Sequence, residues 1–460
     1  MFVPYRHTRF GAALFGKFAV LKFSFASLLA SAFLLGCSSY QPDYSGIGAD
    51  GRDARYAHQG EIALPFATEG NAEIADLIRF ALQQHPQVLA AQADVERARA
   101  EISAAGAWMD PELSVSQGIN DSDWQTLGLS QDIPVFQRRA MAIEQARAGY
   151  RAANARLAQV HADVSTNVVL AFSEYLYVLA NGNIQDDRIA LLAQAAAIAE
   201  QRYAAGAVAM SDLLRVQNAH DEARSERANI VSLLVSQRAR LNSALGRDAR
   251  AELPQHFNLV DTHREYAHLP GSADELYTTV AKQNPRLLAA KYEIQALQVG
   301  QDIANTAGLP RFMVGVEYMN TTMGDGTFAG MASVSLPIWR SSYRAIQESA
   351  QANMQRGEAE LQAAQLQVQA ELSMALYQWR EAERNEQLYR DVLIPRAEQA
   401  VASLLSQYRN GNASFTDVLN SQQEWISFSL AYQRALANQL SAVATIQSLT
   451  AAVAQSEVSQ

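Results

Sequence analysis

Two hydrophobic periods alternate along the chain. Between Arg138 and Tyr203 there is no proline, and glycine occurs only at Gly149 and Gly182. Over that stretch Leu157, Val160, Val164, Val168, Ala171, Tyr175 and Val178 recur mostly every third or fourth residue, which predicts a long helix with a coiled-coil-like seam. Such a helix, about 66 residues and about 100 Å long, does not fit inside a compact domain. Its seam buries against sister helices or against another chain. A shift of 204 residues lands on Leu361, Ala364, Val368, Leu372, Ala375, Trp379 and Ala382, so the seam is written twice.

The second period is two. Phe312, Val314, Val316 and Tyr318 alternate with Arg311, Met313, Gly315 and Glu317; Phe328, Gly330, Ala332, Val334 and Leu336 alternate with Thr327, Ala329, Met331, Ser333 and Ser335. Asp325-Gly326 between them reads as a hairpin turn. A weaker copy precedes it: Leu113, Val115 and Ile119, then Leu127, Leu129, Ile133 and Val135, with Asn120–Asp123 as the polar turn. Strands of about ten residues, apolar on one face, suit a membrane β-barrel wall or a soluble hairpin packed on helices. Four strands cannot close a barrel, since the smallest have about eight. A bilayer-spanning sheet would be shared, and three chains would supply twelve strands.

The duplication extends beyond these segments. Gln84-His85-Pro86-Gln87-Val88-Leu89 matches Gln283-Asn284-Pro285-Arg286-Leu287-Leu288 at an offset of 199, and Asp132-Ile133-Pro134-Val135-Phe136 matches Ser335-Leu336-Pro337-Ile338-Trp339 at 203. Tyr203, Gly206, Ser211 and Asp212 match Tyr408, Gly411, Thr416 and Asp417 at 205. A period near 200 is too long for a solenoid. It predicts two repeats, 72–246 and 273–452, each helix, two strands, very long helix, turn, helix, with a linker at 247–272 and a tail at 453–460. His85 reads as a helix-surface residue.

The N-terminus reads as an address. Arg6, Arg9, Lys17 and Lys22 precede an apolar run from Phe23 to Leu35 that is too short to span a membrane as a helix. It ends in Leu34-Leu35-Gly36-Cys37, which resembles a bacterial lipobox. Residues 1–36 are then a signal peptide, Cys37 carries the lipid, and 37–71 is a tether. An ordinary signal peptide with an incidental cysteine is the alternative. Ser38, rather than Asp, after Cys37 implies sorting to the outer membrane.

Composition narrows the chemistry. The 460 residues hold one cysteine, 37 Lys+Arg and 47 Asp+Glu, for a net charge of −10. Removal of 1–36 leaves 33 bases against 47 acids, or −14. That balance argues against a nucleic-acid surface. A single cysteine makes neither an intramolecular disulfide nor a cysteine-based zinc or iron–sulfur site. There is no Gly-x-x-x-x-Gly-Lys-[Ser/Thr], His-Glu-x-x-His or Gly-x-Ser-x-Gly motif. Gly324–Gly330 has the wrong spacing for a phosphate loop. No catalytic residue, resident metal or cofactor is expected. Met313, Met319, Met323 and Met331 cluster around the second hairpin; thioethers bind Cu(I) and Ag(I) softly, but chance and barrel packing are the simpler explanation of such a cluster.

Lipobox, two-fold duplication, hairpins between long helices and the Tyr203/Gly206/Asp212 and Tyr408/Gly411/Asp417 turns together resemble the TolC family of outer-membrane efflux channels, over roughly residues 72–452. Asp110-Pro111-Glu112-Leu113, Leu129–Pro134 and Leu393-Ile394-Pro395 look most like its heavy-metal resistance (CusC/CzcC-like) branch. The resemblance implies a mainly α fold with a β-hairpin pair: a homotrimer with a twelve-stranded barrel in outer-membrane lipid, continuing as a periplasmic α-barrel. It implies a passive exit duct that docks with a periplasmic adaptor (membrane fusion protein) and an inner-membrane pump of the resistance-nodulation-division class. The cargo is then heavy-metal cations or, alternatively, drugs and small molecules. A periplasmic coiled-coil scaffold or adhesin lipoprotein is the reading from another class, and it needs no strands with a lipid-like face.

At the tips, Gly206 and Gly411 are expected to end the long helices with φ > 0. Ser211 or Thr416 would cap the returning helix, with Asp212 or Asp417 at its positive end. The resemblance adds that Asp417 and Asn420 lie at the pore constriction, and that Tyr203, Gly206, Ser211, Asp212, Tyr408, Gly411 and Thr416 form the tip turns where an adaptor docks. In a trimer, Asp417 would form an acidic ring that attracts cations. Pro395, whose first-half counterpart is Ala190, predicts a kink in one long helix only, as static curvature or as an aid to opening.

Overall fold

The structure, a computed structural model, describes residues 73–118, 124–254, 257–321 and 324–451. The signal peptide, Cys37, the tether, the turn at Asn120–Asp123, Met323 and the tail lie outside the described residues. The first repeat runs α1 (Ile74–Gln84), α2 (Pro86–Ala105), β1 (Glu112–Gln117), β2 (Trp124–Ile133), α3 (Arg138–Ala204) and α4 (Met210–Ala244). The second runs α6 (Ala273–Gln283), α7 (Pro285–Asn305), β3 (Arg311–Thr321), β4 (Gly324–Ser335), α8 (Arg340–Leu388), a π-helical turn (Tyr389–Leu393), α9 (Ile394–Arg409) and α10 (Phe415–Thr450). The linker carries its own helix, α5 (Leu259–Tyr266).

In each repeat a proline breaks the leading helix in two. Pro86 and Pro285 occupy the first turn of α2 and α7, where a missing N–H costs nothing. The preceding residue is the cap. His85 accepts from the Gln87 amide through Nδ1 at 3.2 Å, and Asn284 accepts from Leu287 at 3.2 Å while donating to the Leu449 carbonyl at 3.0 Å. His85 is therefore a half-buried helix cap rather than a helix-surface residue. Partial burial holds its pKa below the ordinary 6.5, which keeps the ring neutral and Nδ1 free to accept.

The seam forms as predicted, with one pattern in both repeats. Leu157, Val160 and Tyr175 are half-buried while Val164, Val168, Ala171 and Val178 are buried; Leu361, Ala364 and Trp379 are half-buried while Val368, Leu372, Ala375 and Ala382 are buried. The covers differ. α3 is packed by α2, α4, α7 and α10, whereas α8 is packed chiefly by α7 and α10. α8 consequently leaves Leu366, Met374, Tyr377 and Leu388 exposed along one stripe, and α4 leaves Val231 and Val235 exposed.

The linker is more than a loop. Asn258 caps α5 through the Val260 amide at 2.8 Å. His263 meets Gln439, and Tyr266 donates to Gln447 at 2.5 Å, both on α10. Burial pushes the Tyr266 hydroxyl up to about 12, so it stays a donor throughout the physiological range. Phe257 sits edge-on to Phe172 of α3 at 4.8 Å.

The strands form one antiparallel sheet in the order β1-β2-β3-β4, the two hairpins joining through β2 and β3. The register puts Leu113, Val115, Leu127, Leu129, Val314, Val316, Tyr318 and Phe328 on one face. These side chains are exposed, Phe328 at 79% and Leu113 at 66%, so no helix covers this face. The other face carries small side chains at close quarters: Thr126 and Ser130 are buried, and a Cβ on Gly128 would fall 2.5 Å from the Ser114 hydroxyl. The packing decides between the two readings of the strands, since a soluble hairpin laid on helices would bury the apolar face. The second turn differs from expectation. β3 runs on to Thr321, paired with Gly324, so Asp325-Gly326 lies within β4. The Tyr318 ring lies over Gly326, in the space that a Cβ would take.

Candidate functional site: the two helical tips

Each long helix ends in the same backbone device. Gly206 and Gly411 have φ of 70° and 81°, as expected for glycine at a helix end. The amides of Ala207 and Asn412 reach back to the carbonyls of Arg202 and Gln407 at 2.8 and 2.9 Å, the six-to-one bond that satisfies an orphan carbonyl. Gly246, at the end of α4, does the same with φ of 75°.

The returning helices start differently from expectation. Ser414 caps α10 in a reciprocal box: the Asp417 amide donates to the Ser414 hydroxyl at 3.2 Å, and the Ser414 amide and hydroxyl donate to the Asp417 carboxylate at 3.0 and 2.7 Å. Ala209 stands at the same place before α4 and offers no side-chain cap. Ser211 and Thr416 are therefore two residues too late to cap and lie in the first turn of the helices. The Ser-x-x-Asp spacing of Ser414 and Asp417 carried this signal in the sequence.

Charges at the tips are also unequal. Asp212 lies 3.9 Å from Arg215, whereas Asp417 is exposed and has no ion pair among the described residues. Its hydrogen bonds from Ser414 hold its carboxyl below the ordinary 3.8, so it is fully ionised near neutrality. Asn420 is exposed one turn further along α10. Tyr203 is 44% exposed and available to a partner; Tyr408 is 2% exposed, so its ring cannot serve as a docking surface.

Burial of Tyr408 follows from how the hairpins pack. Leu192, Ala195 and Ala199 of α3, Leu213 and Val216 of α4, Tyr408 of α9, and Phe415 and Val418 of α10 form one apolar core. Two arginines join the hairpins across it. Arg202 donates to the Tyr408 carbonyl at 2.6 Å and lies 5.0 Å over its ring, and Arg215 donates to the Thr416 hydroxyl at 3.3 Å. These contacts span more than 200 residues, so no local pattern announces them.

Pro395 lies in the first turn of α9, just after the π-helical turn. Pro395 has no N–H, and the Ile394 amide bonds five residues back to Tyr389. α3 runs through the equivalent level without a break. Met313, Met319 and Met331 lie by register on the face opposite the apolar one, with Met313 and Met331 on adjacent strands. No helix of the described residues is long and apolar enough to cross a membrane.

A family model described as outer membrane efflux protein matches residues 77–247 and 276–452, one match to each repeat. The cobalt-zinc-cadmium resistance protein CzcC of Cupriavidus metallidurans is 23% identical over 394 residues, covering 84% of this chain and 90% of that protein. Among solved structures, CusC superposes with a TM-score of 0.70 at 17% identity, over 84% of this chain and 96% of CusC. The outer membrane protein VceC of Vibrio cholerae gives 0.69 at 18% identity, over 82% of this chain and 96% of VceC.

Proposed function

The chain belongs to the outer membrane efflux protein family, and on that premise we propose that three copies form one passive exit duct for heavy-metal cations. It is an outer-membrane efflux channel with the TolC-like fold. The observation that carries the trimer is the sheet, with an exposed apolar face, an opposite face of smaller and more polar side chains, and outer strands β1 and β4 unpaired on one side among the described residues. Joining β4 of one copy to β1 of the next gives twelve strands with lipid outside and water inside. The same step brings the exposed stripe of α8 to a neighbouring copy, and Val231 and Val235 of α4 offer an apolar surface to receive it.

The duct makes and breaks no bonds. Work is supplied by an inner-membrane pump of the resistance-nodulation-division class, through a periplasmic adaptor that meets the tip turns at Tyr203, Gly206, Ser211, Asp212, Gly411 and Thr416. The lipid on Cys37 anchors the chain to the outer membrane. Asp417 and Asn420 line the constriction, where the unpaired Asp417 carboxylates form a cation-attracting ring. The metal cargo is supported by the likeness to CzcC along most of the chain, by that ring and by the acidic balance of the sequence.

Deletion of the gene, followed by growth inhibition with Cu, Ag, Zn, Co, Ni and Cd salts beside hydrophobic antibiotics and detergents, tests the cargo. Sensitisation to metals alone is expected. Sensitisation to organic compounds alone would discard the metal assignment and leave the duct standing.

A further inference from the structure

The two ends of the sheet differ in chemistry. Where strands run into helices, the apolar face continues past the ladder as Leu336, Ile338 and Trp339, which are 71, 67 and 72% exposed, and in the first repeat as Trp108, Met109 and Phe136. Phe136 holds φ at 58°, a costly backbone for an aromatic residue, with its ring 6.4 Å from Phe312 of the apolar face. Immediately beyond come exposed arginines. Arg139 donates to the Gly106 carbonyl at 2.6 Å and lies 5.8 Å over the Trp108 ring. Arg340 and Arg344 have no side-chain hydrogen bond or ion pair among the described residues. Glu112 and Asp132 belong by register to the face opposite the apolar one, and Asp110 is exposed before β1. At the opposite end, the sequence between β1 and β2 holds Asp121 and Asp123, Asp325 is the second residue of β4, and neither 118–123 nor 322–325 contains Lys or Arg.

We propose that this junction is a binding belt for anionic phospholipid headgroups of the leaflet nearer the helices. It rests on the reading of the sheet as a barrel wall. Tryptophan favours the headgroup level because its ring is apolar and its N–H is wet. Arginine one step beyond reaches phosphate oxygens with a planar fork while its stem lies along apolar surface. Arg340 and Arg344, adjacent to Trp339 and without protein partners, supply the phosphate contacts; Arg139, held against Trp108, repeats the arrangement in the first repeat. The acidic far end would repel the same headgroup. The belt therefore sets how deep the barrel sits and which way it faces.

Full-length channel reconstituted in vesicles of equimolar phosphatidylglycerol and phosphatidylcholine, then released and weighed intact with its retained lipid, tests this. The wild type should keep phosphatidylglycerol in preference, and R340Q/R344Q should lose that preference by about fivefold per arginine. R340K/R344K keeps both charges and should retain most of it, which separates headgroup binding from damage to the fold. Equal retention of the two lipids by the wild type, or an unchanged preference in R340Q/R344Q, would overturn the belt. Failure of the wild type to insert into these vesicles would overturn the barrel reading, and the belt with it.

Discussion

Asp417 carries two roles that substitution can separate, because its carboxylate both closes the Ser414 cap and leaves an unpaired charge at the tip. Asp417→Asn removes the charge and keeps an acceptor, so it should weaken block by trivalent cations and raise conductance while the helix stays capped. Ser414→Ala removes the cap and keeps the charge; it should cost about 1 kcal/mol and leave the block in place. Loss of block in Ser414→Ala alone would move the effect from charge to fold. Arg202 makes the shorter of the two arginine ties between the hairpins at the tips, and a hydrogen bond from a charged group is worth about 1.5–3 kcal/mol. Arg202→Met should therefore raise single-channel conductance and open probability, read in planar bilayers. Residues fixed by local backbone, such as Gly206 and Gly411, were legible in the sequence. Arg202 and Arg215 were not, because their partners are distant in the chain, and Tyr203 and Tyr408 look alike until packing buries one of them.

Helices and strands were the most legible level, since a seam written twice and an alternation of period two leave little choice of element. The breaks were harder. His85-Pro86 and Asn284-Pro285 each combine a cap with a first-turn proline, yet a histidine cap is uncommon and reads as surface. This cap makes a pH prediction. The folded state holds His85 neutral below its unfolded value, so it binds fewer protons than the unfolded chain as pH falls through about 6.5. Stability is unaffected by this group above that value and declines below it. His85→Asn, the residue used at Asn284, should flatten that part of the thermal-melting profile between about pH 7 and pH 5; an unchanged profile would remove His85 as its source. At the π-helical turn, Pro395→Ala restores the missing donor and should convert Tyr389–Leu393 to ordinary helix. Hydrogen exchange of these amides should slow, and equal exchange in both proteins would mean that the turn is set by tertiary packing instead. The hairpin turn was misread because Asp-Gly is a strong local signal, and the Tyr318 ring over Gly326 overrides it.

For the whole molecule, the exposed apolar surfaces are as informative as the buried ones. Leu372 is fully buried in the second-repeat core with Leu276, Leu287, Val368 and Ile446, and Leu372→Ala should cost about 2–5 kcal/mol in any assembly state. In the proposed assembly, the uncovered stripe of α8 and the two open sheet edges find their partners in further copies. The sequence showed that four strands cannot close a barrel; the register and the exposure of the apolar face add which face lipid would cover in the proposed barrel. The most direct measurement is to purify the full-length chain from outer membranes, determine the mass of the assembly and record it in a planar bilayer. Three chains forming a cation-selective pore is the predicted result. An assembly that carries no current, or a water-soluble dimer, would contradict it.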